Sequence, residues 1–129
     1  MKVRDSILLL AFGVLFWVAG TAWYEVRGAR VFEAGALRYA INFVLTPIAT
    51  VAVCVAVLRW RGIPASAWAS AALLIAIPGM IGESVLLSRF AALMPGMQPA
   101  SAGKYAGFLF ATYALFLGIA ELVTLQARG

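Results

Sequence analysis

Four long apolar segments, separated by short polar links, organise the chain. The first runs from about Ile7 to Val26 and the second from about Tyr39 to Leu58. The third runs from about Ala67 to Leu87 and the fourth from about Tyr105 to Leu125. Each holds about 20 residues, which at about 1.5 Å per residue covers a hydrocarbon core of about 30 Å. Strands of a membrane barrel would be about 10 residues long and would alternate polar with apolar positions. In lipid a peptide group finds no water to bond, so each segment must satisfy itself as a helix. The pattern predicts an all-α fold, a four-helix transmembrane bundle, formed by residues 1–129 as one domain.

The links fit that reading. Arg27 to Arg38 is a charged connection with Gly28 and Gly35 as breakers, and Arg59-Trp60-Arg61-Gly62-Ile63-Pro64 is a tight hairpin. Ser88 to Lys104 is the longest link. Phe90, Leu93, Met94 and Met97 make it too apolar for a free loop, so it is expected to lie in the interface or fold back on the bundle. The opening Met1-Lys2-Val3-Arg4 ahead of Ile7 has the look of a signal peptide. Its apolar run is longer than such a region needs and three more spans follow, so it is expected to stay as the first span. Trp23, Tyr24, Tyr39, Trp60, Trp68 and Tyr105 fall near segment ends, where amphipathic rings favour the headgroup level.

Composition strengthens the membrane assignment. The chain is 64% hydrophobic and 12% charged, against about 45–50% and about 25% in ordinary soluble domains. Ten Lys and Arg outweigh five Asp and Glu, but the basic residues are scattered at segment ends. That placement suits anchoring at anionic lipid headgroups, and no nucleic-acid partner is expected. The lipid bilayer is the expected partner, with a homo-oligomer or a membrane partner protein as a further expectation.

Location follows from the same pattern: a bacterial inner membrane, with both termini cytoplasmic. Orientation rests on a near tie. Lys2, Arg4, Arg59, Arg61 and Arg128 would face one side, and Arg27, Arg30, Arg38, Arg89 and Lys104 the other. The free α-amino group tips the balance toward N-inside, while the tie leaves dual insertion as antiparallel dimers open.

Candidate chemistry is sparse. There is no histidine, which removes imidazole metal sites and His-based catalytic units, and no cofactor or enzymatic activity is expected. Cys54 is the single cysteine, in an apolar stretch, and reads as a small buried residue. Ionisable groups within spans cost roughly 2.5–3.5 kcal/mol each at the centre and so call for an explanation. Glu25 and Glu83 both approach the end of an outgoing span, and Arg38, Arg89 and Asn42 fall on the same side. One reading is a polar site at one mouth of the bundle, with Glu83 as its deepest charge, taking a cation, a proton or a polar headgroup. The other is that Glu83 and Glu25 pair with interfacial arginines and hold helices together. Glu121 near Arg128 reads as a paired or snorkelling end charge.

Pro47 and Pro78 lie inside spans, where each removes a backbone donor and marks a candidate kink. Pro78-Gly79-Met80-Ile81-Gly82-Glu83 weakens a helix just before an acid, as in the broken helices of transporters. Gly103, Gly107 and Ala111 form a ridge of small residues, with Gly118 and Ala114 on another. Such ridges let helices pack closely in lipid, within one bundle or between subunits.

The second half carries a resemblance. Leu74-Ile75-Ala76-Ile77-Pro78-Gly79-Met80 is followed by Glu83, then by Leu93-Met94-Pro95-Gly96-Met97 and a last span with Tyr113. These motifs resemble a family of small bacterial four-span membrane proteins of unknown function, with similarity over roughly residues 70–125. Met94 and Gly96 stand where that family has Phe and Asn, and Glu83 where it has Asp. The resemblance implies a fold and a membrane location, and no activity. Small multidrug transporters are similar in size only, because their acid lies deep in the first span and this chain has none there before Glu25.

Overall fold

The computed structural model describes residues 1–129 as helices joined by short turns. Helix α1 spans Val3–Phe32, α2 Ala36–Trp60, α3 Trp68–Ser88, α4 Phe90–Leu93 and α5 Ala102–Arg128. Single 3₁₀ turns, Ala65–Ala67 and Pro99–Ser101, lead into α3 and α5. Four helices, α4 excepted, are long and apolar enough to cross a membrane. Helices α1, α2 and α5 overshoot the boundaries read from hydrophobicity, while α3 matches its predicted span to within one residue. At 30 residues α1 is about 45 Å long, so its ends extend past a hydrocarbon core of about 30 Å. Gly28 does not break it: the helix continues to Phe32, and only Gly35, at φ 145°, turns the chain.

The helices form a ring in the order α1, α3, α5, α2. Packing is most extensive between α1 and α3 and least extensive, among the four sides, between α1 and α2. Consecutive α2 and α3 touch little, so their hairpin crosses a diagonal. That hairpin is set by Gly62, whose φ of 64° is a left-handed conformation open to glycine without a Cβ clash. The N–H of Ile63 reaches the Leu58 carbonyl and that of Gly62 the Arg59 carbonyl, closing the end of α2. Ile63 and Leu58 then bury their side chains together.

Close approach of α1 to α3 depends on Gly13. A Cβ there would collide with the backbone of Ile75. Next to it, Gly82 of α3 accommodates the Trp17 ring and Gly79 the Tyr113 hydroxyl. By contrast, a Cβ at Gly103, Gly107 or Gly118 would meet nothing within 4 Å. Those ridge glycines face outward and pack no helix of this bundle; the tight internal contacts are made by other glycines.

Buried side chains form two clusters. One, toward the hairpin and termini, includes Leu9, Leu58, Trp68, Ile75 and Phe116. The other, toward the opposite end, includes Tyr24, Phe32, Phe90, Met94, Tyr105 and Phe108. The Ser88–Lys104 link supplies part of the second: Met97 packs on Gly28, and Gly96 on the Glu25 carbonyl, so the link folds back on the bundle. Tyr24, Tyr105 and Trp68 are therefore core residues and not members of an interfacial belt, whereas Trp23 and Trp60 are exposed. Large apolar residues such as Leu15, Leu45, Ile81 and Phe110 cover the outer surface. A soluble protein rarely exposes that much contiguous apolar area, and hydrocarbon is the solvent that matches it.

Polar contacts clip the hairpin end. Arg61 donates from Nε and Nη2 to Oδ1 of Asp5, at 3.1 and 2.8 Å, in the one ion pair of the structure. Thr124 of α5 accepts from the Ala69 N–H at 2.9 Å and donates to the Ala65 carbonyl at 3.2 Å. One side chain thus serves the N-terminal turn of a neighbouring helix, where backbone donors lack partners of their own.

Candidate functional site

Between the two clusters the four long helices line a partly open cavity of about 470 Å³, with the exposed Trp23 at its edge. Its walls are mostly apolar and aromatic, with Phe16, Trp17, Tyr24, Phe108, Tyr113 and Phe116 among them. Glu83 is the only acidic residue in the lining, and no Lys or Arg joins it. Volume and composition match small-molecule sites, which are largely apolar with a few converging polar groups.

Glu83 is only 6% exposed. Its Oε1 accepts a hydrogen bond from the Trp17 indole N–H at 2.8 Å, while its Oε2 is buried without a partner. Local sequence explains the arrangement. Gly82 makes room for the indole beside Glu83, and Gly79, one turn earlier, makes room for the Tyr113 hydroxyl. Pro78-Gly79-x-x-Gly82 is thus the face of α3 that receives large side chains from α1 and α5. The helix runs through Pro78 without interruption, as α2 does through Pro47.

Across the cavity, Asn42 of α2 accepts at Oδ1 from the Tyr24 hydroxyl at 2.9 Å and the Thr46 hydroxyl at 2.7 Å. Its Nδ2 is buried without a partner, as is Oγ1 of Thr21. Three unmatched polar atoms on α1, α2 and α3 therefore line one cavity. Buried polar groups are normally satisfied, and a cluster of exceptions facing shared space marks a place where a ligand would supply the missing bonds.

Of the residues read as one polar mouth, Glu83 and Asn42 share the cavity. Arg38 lines an adjoining groove with Asn42. Glu25 and Arg89 are exposed and line neither. The alternative expectation, ion pairs from Glu83 and Glu25 to arginines, is overturned: no such pair forms, and the partner of Glu83 is an indole. Glu121 makes no ion pair with Arg128 either. Sequence reasoning missed Trp17, Thr21 and Tyr113. A usable signal existed for Trp17, whose indole N–H lies mid-span and needs an acceptor inside the bundle.

Fold and site together define a polytopic membrane protein, a four-helix bundle around a central cavity with one buried carboxyl. Residues 31–127 match the family of unknown function DUF5367, and the chain belongs to that family. Nearly all of α1, including Trp17 and Thr21, lies outside the matched residues. No curated protein and no solved structure matches the chain.

Proposed function

We propose that this protein is a small membrane carrier that binds an amphipathic organic cation in its central cavity, with Glu83 as the anchoring acid. The observation that supports this is the free Oε2 of a carboxyl buried in a cavity that offers no basic residue to neutralise it. A cation or a proton supplies the missing charge, and aromatic walls attract quaternary ammonium groups through their ring faces. Because one carboxyl serves both, proton and ligand compete, which is the elementary requirement for coupled exchange. The reading involves no enzymatic step. It sets the chain in a bacterial inner membrane with both termini on the cytoplasmic side; the even number of spans supports one shared side for the termini.

The test is binding of benzyltrimethylammonium to the purified protein, followed by tryptophan fluorescence. Saturable quenching is expected in the wild type and its loss in Glu83→Gln, with the melting temperature nearly unchanged. Equal quenching in both proteins would refute the role of Glu83.

A second reading, an accessory subunit of a membrane complex, has its own support. Gly103 and Gly107 lie outward with open space before them, as an interface between chains would require. Gly107→Leu would then abolish a complex recovered in mild detergent while leaving the stability of the single chain intact. An unchanged complex would remove this interface.

A further inference from the structure

We infer that the groove between α1 and α2 is a binding site for an anionic phospholipid, with Arg27, Arg30 and Arg38 holding its phosphate. The groove has a volume of about 420 Å³ and lies along the least packed side of the ring. Its walls are two facing helical stripes. On α1 it is lined by Trp23, Arg27, Arg30 and Val31; on α2 by Arg38, Ile41, Asn42, Leu45 and Thr46. Spacings of three and four residues put each set on one helix face. The three arginines lie toward the α1–α2 turn, with Val31 beside them, and Trp23, Ile41 and Leu45 lie deeper toward the bilayer interior. From Arg38 to Leu45 the axial distance is about 10 Å. The result is a cationic head above a slot whose apolar side chains are Trp23, Ile41 and Leu45, with Asn42 and Thr46 on its α2 wall, a match for a phosphate above acyl chains.

The charges are available. None of the three arginines has a carboxylate partner. Of the two acids nearest in sequence, Glu25 forms no ion pair and Glu33 is engaged elsewhere: its Oε2 accepts from the Gln98 N–H at 2.9 Å and the Ser101 hydroxyl at 2.7 Å. Arg27 lies over the Trp23 ring, 5.6 Å from its centroid, which orients the guanidinium without neutralising it. Arg30 complements the C-terminal dipole of α1, an explanation that serves one charge of the three. Arg38 sits in the first turn of α2, whose N-terminal N–H groups have no side-chain cap and add positive character. Basic pockets between membrane helices hold lipid phosphates by this combination.

Phosphatidylglycerol, phosphatidylcholine and inorganic phosphate are the probes. Lipid retained by the full-length protein is measured by native mass spectrometry from detergent. The wild type is expected to retain phosphatidylglycerol in preference to phosphatidylcholine, and phosphate at equal concentration should not displace it. Arg27→Gln/Arg30→Gln/Arg38→Gln should lose the preference, by about fivefold for each arginine removed. Arg59→Gln/Arg128→Gln, at the opposite end, should keep it. Glu83→Gln should also keep it, which separates this site from the cavity. If the triple variant does not fold, Arg38→Gln alone carries the test through its fivefold loss. Equal retention of both lipids, an unchanged triple or single variant, or the same loss in the Arg59/Arg128 control would overturn the proposal. Displacement by inorganic phosphate would overturn the lipid and leave a bare anion site.

Discussion

The Trp17 indole N–H and the Glu83 carboxyl meet across 2.8 Å, joining α1 to α3 at the wall of the cavity. Trp17→Phe keeps most of the ring that fills the space at Gly82 but removes the donor. Both carboxyl oxygens would then lack partners, a loss worth about 1–3 kcal/mol. The expected result is a lower melting temperature in detergent, with Glu83→Gln restoring much of it in the double variant by removing the charge.

Proton competition gives the cavity a pH dependence of defined sign. The carboxylate form takes the cation and the acid form does not. Lowering pH should therefore weaken benzyltrimethylammonium binding, by up to tenfold per pH unit once the acid form dominates. Titrations of fluorescence quenching at several pH values measure this, and any residual binding by Glu83→Gln should show no such slope.

Gly13 and Gly118 should respond in opposite ways to the same substitution. At Gly13 a methyl group meets the Ile75 backbone, which cannot rotate away, so Gly13→Ala should destabilise by about 1–3 kcal/mol. At Gly118 the space is open, and the better helix former should be neutral or stabilising by up to about 1 kcal/mol. Thermal unfolding in one detergent compares the two directly.

Thr124→Val keeps the shape of a fully buried side chain and removes the hydroxyl that serves Ala69 and Ala65. A cost of about 1–2 kcal/mol is expected, with faster amide exchange at Ala69, while Thr124→Ser should retain both contacts.

The fold was legible because the physics that selects it is one-dimensional. A run of about 20 apolar residues must become a membrane helix whatever its neighbours. Hydropathy therefore finds all four long helices and the bounds of α3, yet places the ends of α1, α2 and α5 short, because residues such as Lys2, Arg27 and Arg30 mark the polar boundary and not the last helical hydrogen bond. The site was only half legible. Glu83 stands out as a charge in an apolar run, but its partner depends on ring order, and nothing in the spacing of α1 and α3 puts Trp17 against Gly82. The same gap misassigned Tyr24 and Tyr105. Near a span end a tyrosine facing lipid and one facing the core look alike, and only the folded-back Phe90–Met97 segment decides between them. Gly103 and Gly107 were read from spacing alone, which cannot distinguish an inward ridge from an outward one.

Carbodiimide modification reports whether the Glu83 carboxyl is free and reachable within the cavity. Dicyclohexylcarbodiimide, an apolar reagent, adds to carboxyl groups to give stable acylureas that peptide mass spectrometry can locate. In membranes containing the full chain, Glu83 should be modified, Glu83→Gln should lose that adduct, and benzyltrimethylammonium should protect it. A Glu83 left unmodified while Asp5, Glu25 and Glu121 react, or one modified equally with and without the cation, would contradict the account.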